Sequence, residues 1–151
     1  MGQMSGLHSR NARVVVVVPV WNEPPEFFRS CVKSIARQTY NSDLIRLSVY
    51  DDGSEESNSE QYCRILEKTQ GIDYRYEAGA TNEGVSYARN RAIEDTDADV
   101  IVPLDADDIL HPQAIKQIVE GIASSEMTEL VYSDNLKFSW PKVKLYQYRK
   151  K

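Results

Sequence analysis

The chain has 151 residues, a net charge of -5, 41% apolar residues and 27% charged residues. This length supports one domain with its own core. The mildly acidic net charge does not indicate the broad basic surface that nucleic-acid binding requires. The longest apolar run, residues 14–18, is far too short for a transmembrane segment, so we expect neither a nucleic-acid partner nor a membrane span.

The N-terminal segment and the cysteines indicate the setting of the protein. Residues 1–12 lack the apolar stretch of a signal peptide and are predicted to be a disordered leader. Cys31 and Cys63 each fall on a predicted helical face, which indicates reduced core residues rather than a disulfide scaffold. Together these features predict a cytoplasmic protein.

Strand and helix signals alternate in the first half of the chain. Residues 14–18 predict a buried strand because they are a run of β-branched valines. Pro24 or Pro25 then opens a first helix, residues 44–50 predict a second strand, and residues 72–76 a short third strand after a second helix. The predicted apolar faces are Phe27, Phe28, Cys31, Val32 and Ile35 in the first helix, and Tyr62, Ile65, Leu66 and Thr69 in the second.

The same alternation continues in the second half. A third helix follows the loop 79–84, and residues 100–104 predict a fourth strand, in which Pro103 indicates a bulge or the strand end. A fourth helix is expected to begin near His111 and Pro112. The apolar faces are Val85, Ala88, Ala92 and Ile93 in the third helix, and Ile115, Ile118, Val119 and Ile122 in the fourth.

This alternation predicts an α/β fold with a mostly parallel sheet flanked by helices on both faces. Residues 13–135 would form that domain, with a fifth strand over residues 130–132. The pattern then changes, and residues 136–151 are predicted to form a short C-terminal hairpin or edge ribbon.

Polar residues collect where the predicted strands end, which is where open α/β sheets bind ligands. Asp105 and Asp107 are the sharpest feature, because carboxylates two residues apart can converge on Mg²⁺ or Mn²⁺, and such an ion can hold a diphosphate. The alternative is a solvated acidic loop that caps the following helix. His111 has no histidine or cysteine partner nearby and is interpreted as a loop residue.

Two other residues at strand ends have two interpretations each. Asp52 can accept hydrogen bonds from a base or ribose, or belong to a turn in which Ser54 caps the second helix. Arg89 lies near the start of the third helix, where it can clamp a phosphate with two parallel hydrogen bonds or be a surface charge. The residues alone favour the turn for Asp52 and leave the question of Arg89 open.

Five short segments follow one another in register over residues 13–112. They are Val16-Val17-Val18-Pro19-Val20-Trp21-Asn22-Glu23, Ser34-Ile35-Ala36-Arg37-Gln38-Thr39, Asp51-Asp52-Gly53-Ser54, Asn82-Glu83-Gly84 with Ala88-Arg89-Asn90, and Leu104-Asp105-Ala106-Asp107-Asp108. Each segment is weak alone, but in this order they specifically resemble the family 2 glycosyltransferases, which have the Rossmann-like, nucleotide-binding A-type glycosyltransferase fold.

The resemblance implies a donor site and a metal site. Pro19, Val20 and Trp21 would line the nucleobase and ribose, where the family often has tyrosine in place of Trp21. Asp107 would coordinate Mn²⁺ or Mg²⁺. The other implied donor-binding residues are Glu23, Asp52 at the base, Gly84, Arg89 near the base or diphosphate, Asp105 at the ribose, and Ala106 beside the donor.

The implied function is an inverting glycosyltransferase that moves a sugar from a nucleoside diphosphate, commonly a UDP-sugar in the family, to a saccharide or other hydroxyl acceptor. No residue matches the family's general base. Asp134 is expected either to approach the donor sugar or to be a structural acid at a strand end. The acceptor-binding half is therefore expected to be missing. Three explanations stay open: the chain is a fragment of a longer enzyme, it is a compact natural form, or a partner chain supplies the base.

Two other functions fit part of the pattern. A non-catalytic module would hold a nucleotide-sugar without transferring it. A phosphatase-like hydrolase would use Asp105 as nucleophile and Asp107 as acid. That class expects a hydroxyl or valine where this chain has Ile109, and a later lysine and acidic pair that are not evident in register.

Overall fold

The computed structural model describes residues 11–94, 96–124, 130–131, 135–139 and 142–146. Its main sheet has four strands in the order β3-β2-β1-β4, and every neighbouring pair is parallel. The central strand β1 places Val14 beside Ile45 of β2 on one side and beside Val100 of β4 on the other. The strands are β1 (Val14–Val20), β2 (Ile45–Asp51), β3 (Asp73–Ala78) and β4 (Val100–Pro103).

Helices cover both faces of this sheet, as predicted. Alternate residues of β1 point to opposite faces because a strand has a side-chain period of two. Val16 packs in the cluster that includes buried residues of α1, α2 and α4, whereas Val17 packs with Ala88 and Ala92 of α3. The helices are α1 (Pro25–Ala36), α2 (Glu56–Lys68), α3 (Val85–Ile93) and α4 (Ala114–Ala123), with a 3₁₀ turn at Ser42–Leu44.

The chain order of the strands creates the crevice that matters for function. From β1 the chain proceeds outward through β2 to β3, and it then returns to place β4 on the other side of β1. The loops after β1, β2 and β4 lead to helices on one face of the sheet, whereas the loop after β3 leads to α3 on the other face. Ligands of open α/β sheets bind where the strand order reverses in this way.

The structure corrects several local predictions. Phe27 is half exposed, because it lies in the first turn of α1 before the buried face begins. Ser54 does not cap α2; the N-cap is Glu55, and the Ser54 hydroxyl accepts a hydrogen bond from the Asn22 amide instead. Helix α4 begins at Ala114 rather than near His111. Pro103 is the last residue of β4, so the predicted strand end is confirmed.

The C-terminal part is described only in pieces. Leu130 and Val131 are not in a strand, so the predicted fifth strand is wrong at those two residues, while residue 132 lies outside the described residues. Strands β5 (Asn135–Ser139) and β6 (Lys142–Tyr146) pair antiparallel as a separate sheet. Residues 140–141 lie outside the described part, and the hairpin over residues 136–151 stays a prediction.

The remaining predictions concern the termini, the cysteines and membrane spans. The first ten residues of the predicted leader lie outside the described residues, and Ala12 is buried. Cys31 is free and buried, and Cys63 is free and partly buried. No helix in the described ranges is long and apolar enough to cross a membrane.

Candidate functional site

A cleft of about 480 Å³ opens beyond the carboxyl ends of β1, β2 and β4, against the start of α3. Every residue of the predicted donor and metal set lies along its wall, although these residues come from the end of β1, helix α3 and the loops after all four strands of the main sheet. The lining also includes Asn82, Val85 and Ala88, which were not in the predicted set. The complete lining is Pro19, Val20, Trp21, Glu23, Asp52, Asn82, Gly84, Val85, Ala88, Arg89, Asp105, Ala106 and Asp107.

Asp52 fixes the loop between β3 and α3. It is 3% exposed, and its carboxylate accepts a hydrogen bond of 2.7 Å from the Gly84 amide and longer ones from the Glu83 amide. Gly84 has φ 97° and ψ 158°, a backbone region that is essentially restricted to glycine. The carboxylate therefore holds a glycine-dependent turn against the cleft, and contact with a base stays a prediction.

Asp51, the other acid of this pair, has a structural role. It is fully buried, and its carboxylate accepts hydrogen bonds from the Ser54 amide at 2.9 Å, the Ser59 hydroxyl at 2.5 Å and the Tyr76 hydroxyl at 2.7 Å. Burial and the bond to Asp51 raise the pKa of Tyr76 well above its usual range. This network secures the start of α2, so that only Asp52 of the pair reaches the cleft.

Asn22 links the first two loops of the cleft and was not among the predicted site residues. Its φ is 48°, in the left-handed region that asparagine tolerates better than most residues. Its side-chain oxygen accepts from the Glu55 amide at 2.8 Å and from the Asn58 side chain at 3.2 Å. This contact fixes the neighbours of Asn22 at the cleft wall, where Trp21 is 55% exposed. The position of Asn22 between two predicted site residues, Trp21 and Glu23, was the sequence signal that could have identified it.

Arg89 and Asp105 form an ion pair across the cleft. The Arg89 Nη2 donates to Asp105 Oδ1 at 2.5 Å, with the side chains 37% and 52% exposed. The Arg89 Nε is buried and has no hydrogen-bond partner within the described part of the chain. Because a buried N–H without an acceptor is costly, this donor group can gain from a ligand oxygen.

Glu23, Asp107 and Asp108 add further carboxylates near this ion pair. Burial, and then the charge of Asp107, raise the pKa of Glu23. Burial followed by Asp107 and Asp105 raises the pKa of Asp108. The Cys31 thiol, whose Sγ lies 3.7 Å from the Asp105 carbonyl oxygen, has its pKa raised to about 12 by burial and these acids. The site thus has a negative potential that a cation would relieve.

The acidic loop fits a divalent cation only in part. It is held by bonds from the Leu104 amide to the Val17 carbonyl and from the Asp108 amide to the Asp105 carbonyl, both at 3.0 Å. Among the described residues, no group of three or more histidine, cysteine or acidic side chains converges as a complete ligand set. One or two carboxylates suit Mg²⁺ or Mn²⁺ when water and ligand phosphates complete the shell.

Two residues from the sequence predictions lie outside this constellation. Asp134 is outside the described residues, so its approach to a donor sugar stays a prediction. His111 does lie in a loop, and its Nδ1 accepts a hydrogen bond from the Gln113 amide at 3.3 Å.

Comparison with known proteins identifies a family and a fold. The model of glycosyl transferase family 2 matches residues 15–146. A hyaluronan synthase of Streptococcus pyogenes is 28% identical over 72% of this chain and 26% of its own length. An N-acetylglucosaminyltransferase of Azorhizobium caulinodans is 32% identical over 75% of this chain and 27% of its own. The chain thus spans about a quarter of these relatives.

Solved structures give the same fold at lower identity. A mannosyltransferase from Pyrobaculum calidifontis in complex with GDP-Man and Mn²⁺ superposes with a TM-score of 0.67, at 23% identity, over 72% of this chain and 32% of that one. TarS of S. aureus in complex with UDP-GlcNAc superposes with a TM-score of 0.62, at 23% identity, over 70% of this chain and 29% of that one. These relatives do not favour the phosphatase-like or the non-catalytic alternative.

Proposed function

The chain belongs to glycosyl transferase family 2, and on that basis we propose that its cleft binds the nucleoside diphosphate of a sugar donor for transfer of the sugar. The observation that supports this most is that the predicted donor residues line one cleft, although they are spread along the chain from β1 to the loop after β4. That cleft lies at the reversal of strand order, where α/β folds bind nucleotides.

The walls of the cleft suit the parts of a nucleotide. Pro19, Val20 and Ala106 are buried and give an apolar floor, and the exposed ring of Trp21 can lie against a base or ribose. The start of α3 offers the positive end of a helix dipole, and Arg89 offers a guanidinium for phosphate oxygens.

Asp107, with Asp105 beside it, would hold Mn²⁺ or Mg²⁺ against the diphosphate. When bound, such an ion neutralises the charge that develops on the leaving diphosphate. Arg89 now pairs with Asp105. On donor binding, we expect the guanidinium to exchange the Asp105 carboxylate for a phosphate oxygen, which would leave Asp105 free to face the ion or the ribose.

UDP-N-acetylglucosamine is the first donor to test. One relative is an N-acetylglucosaminyltransferase, and one structural neighbour was solved with UDP-GlcNAc. The proposed reaction is inverting transfer to a hydroxyl acceptor, in which a carboxylate general base takes the acceptor proton. No residue of this chain is assigned that role, and Asp134 is the residue to test for an approach to the donor sugar.

The proposal is tested by calorimetric titration of UDP and GDP, each with Mn²⁺ and with a chelator. We expect one nucleotide to bind with Mn²⁺ and at least about tenfold more weakly without it, because the ion bridges carboxylate and phosphate. The Asp107→Asn variant should lose the Mn²⁺ dependence. Asp43→Asn, the same change at an exposed acid outside the cleft, should retain it. Equal binding by wild type and Asp107→Asn would reject Asp107 as the metal ligand.

A further inference from the structure

A second groove, of about 580 Å³, lies between α1 and α2. It shares no residue with the nucleotide cleft described above. Its lining contains four basic side chains and no acidic one, although the whole chain has a net charge of -5. The lining residues are Arg29, Lys33, Gln61, Arg64, Ile65, Lys68 and Thr69.

Helical spacing places these basic side chains in two rows. Arg29 and Lys33 are four residues apart on α1, and Arg64 and Lys68 are four residues apart on α2. Residues at this spacing lie next to each other on a helix surface, where like charges destabilise the helix. Two such rows therefore face one groove at a cost to both helices, and an anion in the groove would offset that cost.

The basic side chains of the groove differ from most other basic side chains in the described part of the chain in having few acidic partners. Within the described residues, Arg29, Lys33 and Lys68 form no ion pair, and only Arg64 has one, with Glu60 at 3.1 Å. Both members of that pair are more than half exposed, so it is easily exchanged. By contrast, ion pairs engage Arg13, Arg46, Arg75, Arg89, Arg91 and Lys116.

Helix dipoles account for only part of this arrangement. Lys33 and Lys68 lie in the last turns of their helices, where a cation is favourable without any ligand. Arg29 lies in the first half of α1, where a positive charge gains nothing from the dipole. The dipole therefore does not explain why Arg29 joins the other cations at the same groove.

We propose that this groove binds phosphate groups. The planar guanidinium groups of Arg29 and Arg64 provide paired donors for phosphate oxygens, and Lys33 and Lys68 provide compact charges on either side. The phosphates can belong to a soluble anion or to the headgroups of an anionic lipid surface, since both present the same oxygens. This site is independent of donor binding in the cleft.

The test compares two double variants of the full chain. Lys33→Gln with Lys68→Gln removes two cations of the groove. Arg37→Gln with Lys116→Gln removes two exposed cations outside it, so that the change in net charge is the same. All four positions are exposed, and both variants are expected to fold as the wild type does.

Two probes distinguish the sources of phosphate. In the first experiment, inorganic pyrophosphate is titrated without divalent metal, and the backbone amide signals of residues 61–69 are followed by NMR. In the second, cosedimentation of the protein is measured with phosphatidylcholine vesicles that contain phosphatidylglycerol. We expect one probe to bind, and the groove variant to weaken that binding roughly 25-fold, at about fivefold for each cation removed. Binding of pyrophosphate assigns a soluble anion, and binding of vesicles alone assigns lipid headgroups. The proposal is overturned if neither probe binds, or if both variants weaken binding equally.

Discussion

The ion pair between Arg89 and Asp105 leads to a prediction with two effects of opposite sign. Replacing Arg89 with methionine keeps the length of the side chain and removes its charge and its donors. The variant frees Asp105 from a guanidinium at 2.5 Å and removes a positive charge from the acidic loop. Mn²⁺ alone should therefore bind more tightly, whereas a nucleoside diphosphate with Mn²⁺ should bind more weakly.

The exposure of the two side chains sets the size of the first effect. With Arg89 37% and Asp105 52% exposed, the pair is partly solvated and is worth about 0.2–1 kcal/mol, which is at most about a fivefold gain in Mn²⁺ affinity. The second effect is larger, because a charge-assisted bond to phosphate is worth about 1.5–3 kcal/mol. Loss of that bond predicts roughly 10- to 150-fold weaker nucleotide binding.

Calorimetric titration measures both quantities, first with Mn²⁺ alone and then with UDP at saturating Mn²⁺. Arg46→Met is the matched control, since it removes a comparable exposed ion pair, with Asp73 at 2.7 Å, that takes no part in the cleft. That variant should leave both affinities unchanged. If Arg89→Met binds Mn²⁺ alone no more tightly than the wild type, the idea that Arg89 competes with the cation is refuted.

Three further predictions concern the scaffold, two of them at the loop between β3 and α3 and one at the amino ends of β1 and β4. Asp52→Ala removes the carboxylate that accepts partly buried hydrogen bonds from the Glu83 and Gly84 amides, so the free energy of unfolding in urea should fall by about 1–3 kcal/mol and the Gly84 amide should exchange faster. Unchanged protection of that amide would contradict this. Gly84→Ala places a Cβ on a residue with φ 97°, which should lower the free energy of unfolding by about 1–3 kcal/mol and lower the Tm. A wild-type Tm in this variant would show that the turn is not strained. The pKa of Asp99 is lowered from its ordinary value of 3.8, mainly by the hydrogen bond from the Arg13 backbone amide. The ionised carboxylate therefore stabilises the fold at pH values above 3.8, and this contribution is lost as the pH falls through the lower pKa of the folded state. Asp99→Asn should therefore flatten the dependence of unfolding free energy on pH in the acid range, and an equally steep dependence would count against it.

The position of the cleft could be predicted from the sequence because it depends on local patterns. Strands β1, β2 and β4 are each followed within two residues by a polar side chain, as at Asp52 and Asp105, and parallel strands end at the same edge of a sheet. Once the alternation of strands and helices is recognised, the polar ends must lie near one another. The same reasoning predicted that Pro103 would end its strand.

What could not be predicted depends on contacts between distant parts of the chain. The Asp52 carboxylate binds amides 31 and 32 residues away, and the Ser54 hydroxyl is used by Asn22 rather than by its own helix. A preference for capping residues describes only local competition for such groups. The periodicity that placed Phe27 in the core likewise does not show where in the first turn a helix face becomes buried.

The basic groove illustrates the same limit of sequence patterns. Arg29 and Arg64 are far apart in the chain, and each helix alone shows an ordinary charged surface. They share a groove because α1 and α2 pack side by side, with the rings of Phe28 and Tyr62 4.8 Å apart. Only the packed helices bring the two rows of cations together.

The central claim is that a divalent cation and a nucleoside diphosphate bind together in the cleft after β1 and β4. Paramagnetic Mn²⁺ tests it directly, because it broadens the NMR signals of the amides nearest to it. With UDP present, small amounts of Mn²⁺ should broaden the amides of residues 105–108 and of Gly84 first, and leave residues 61–69 of the distant helix sharp. Broadening that begins elsewhere, or that is the same with and without nucleotide, would contradict the account.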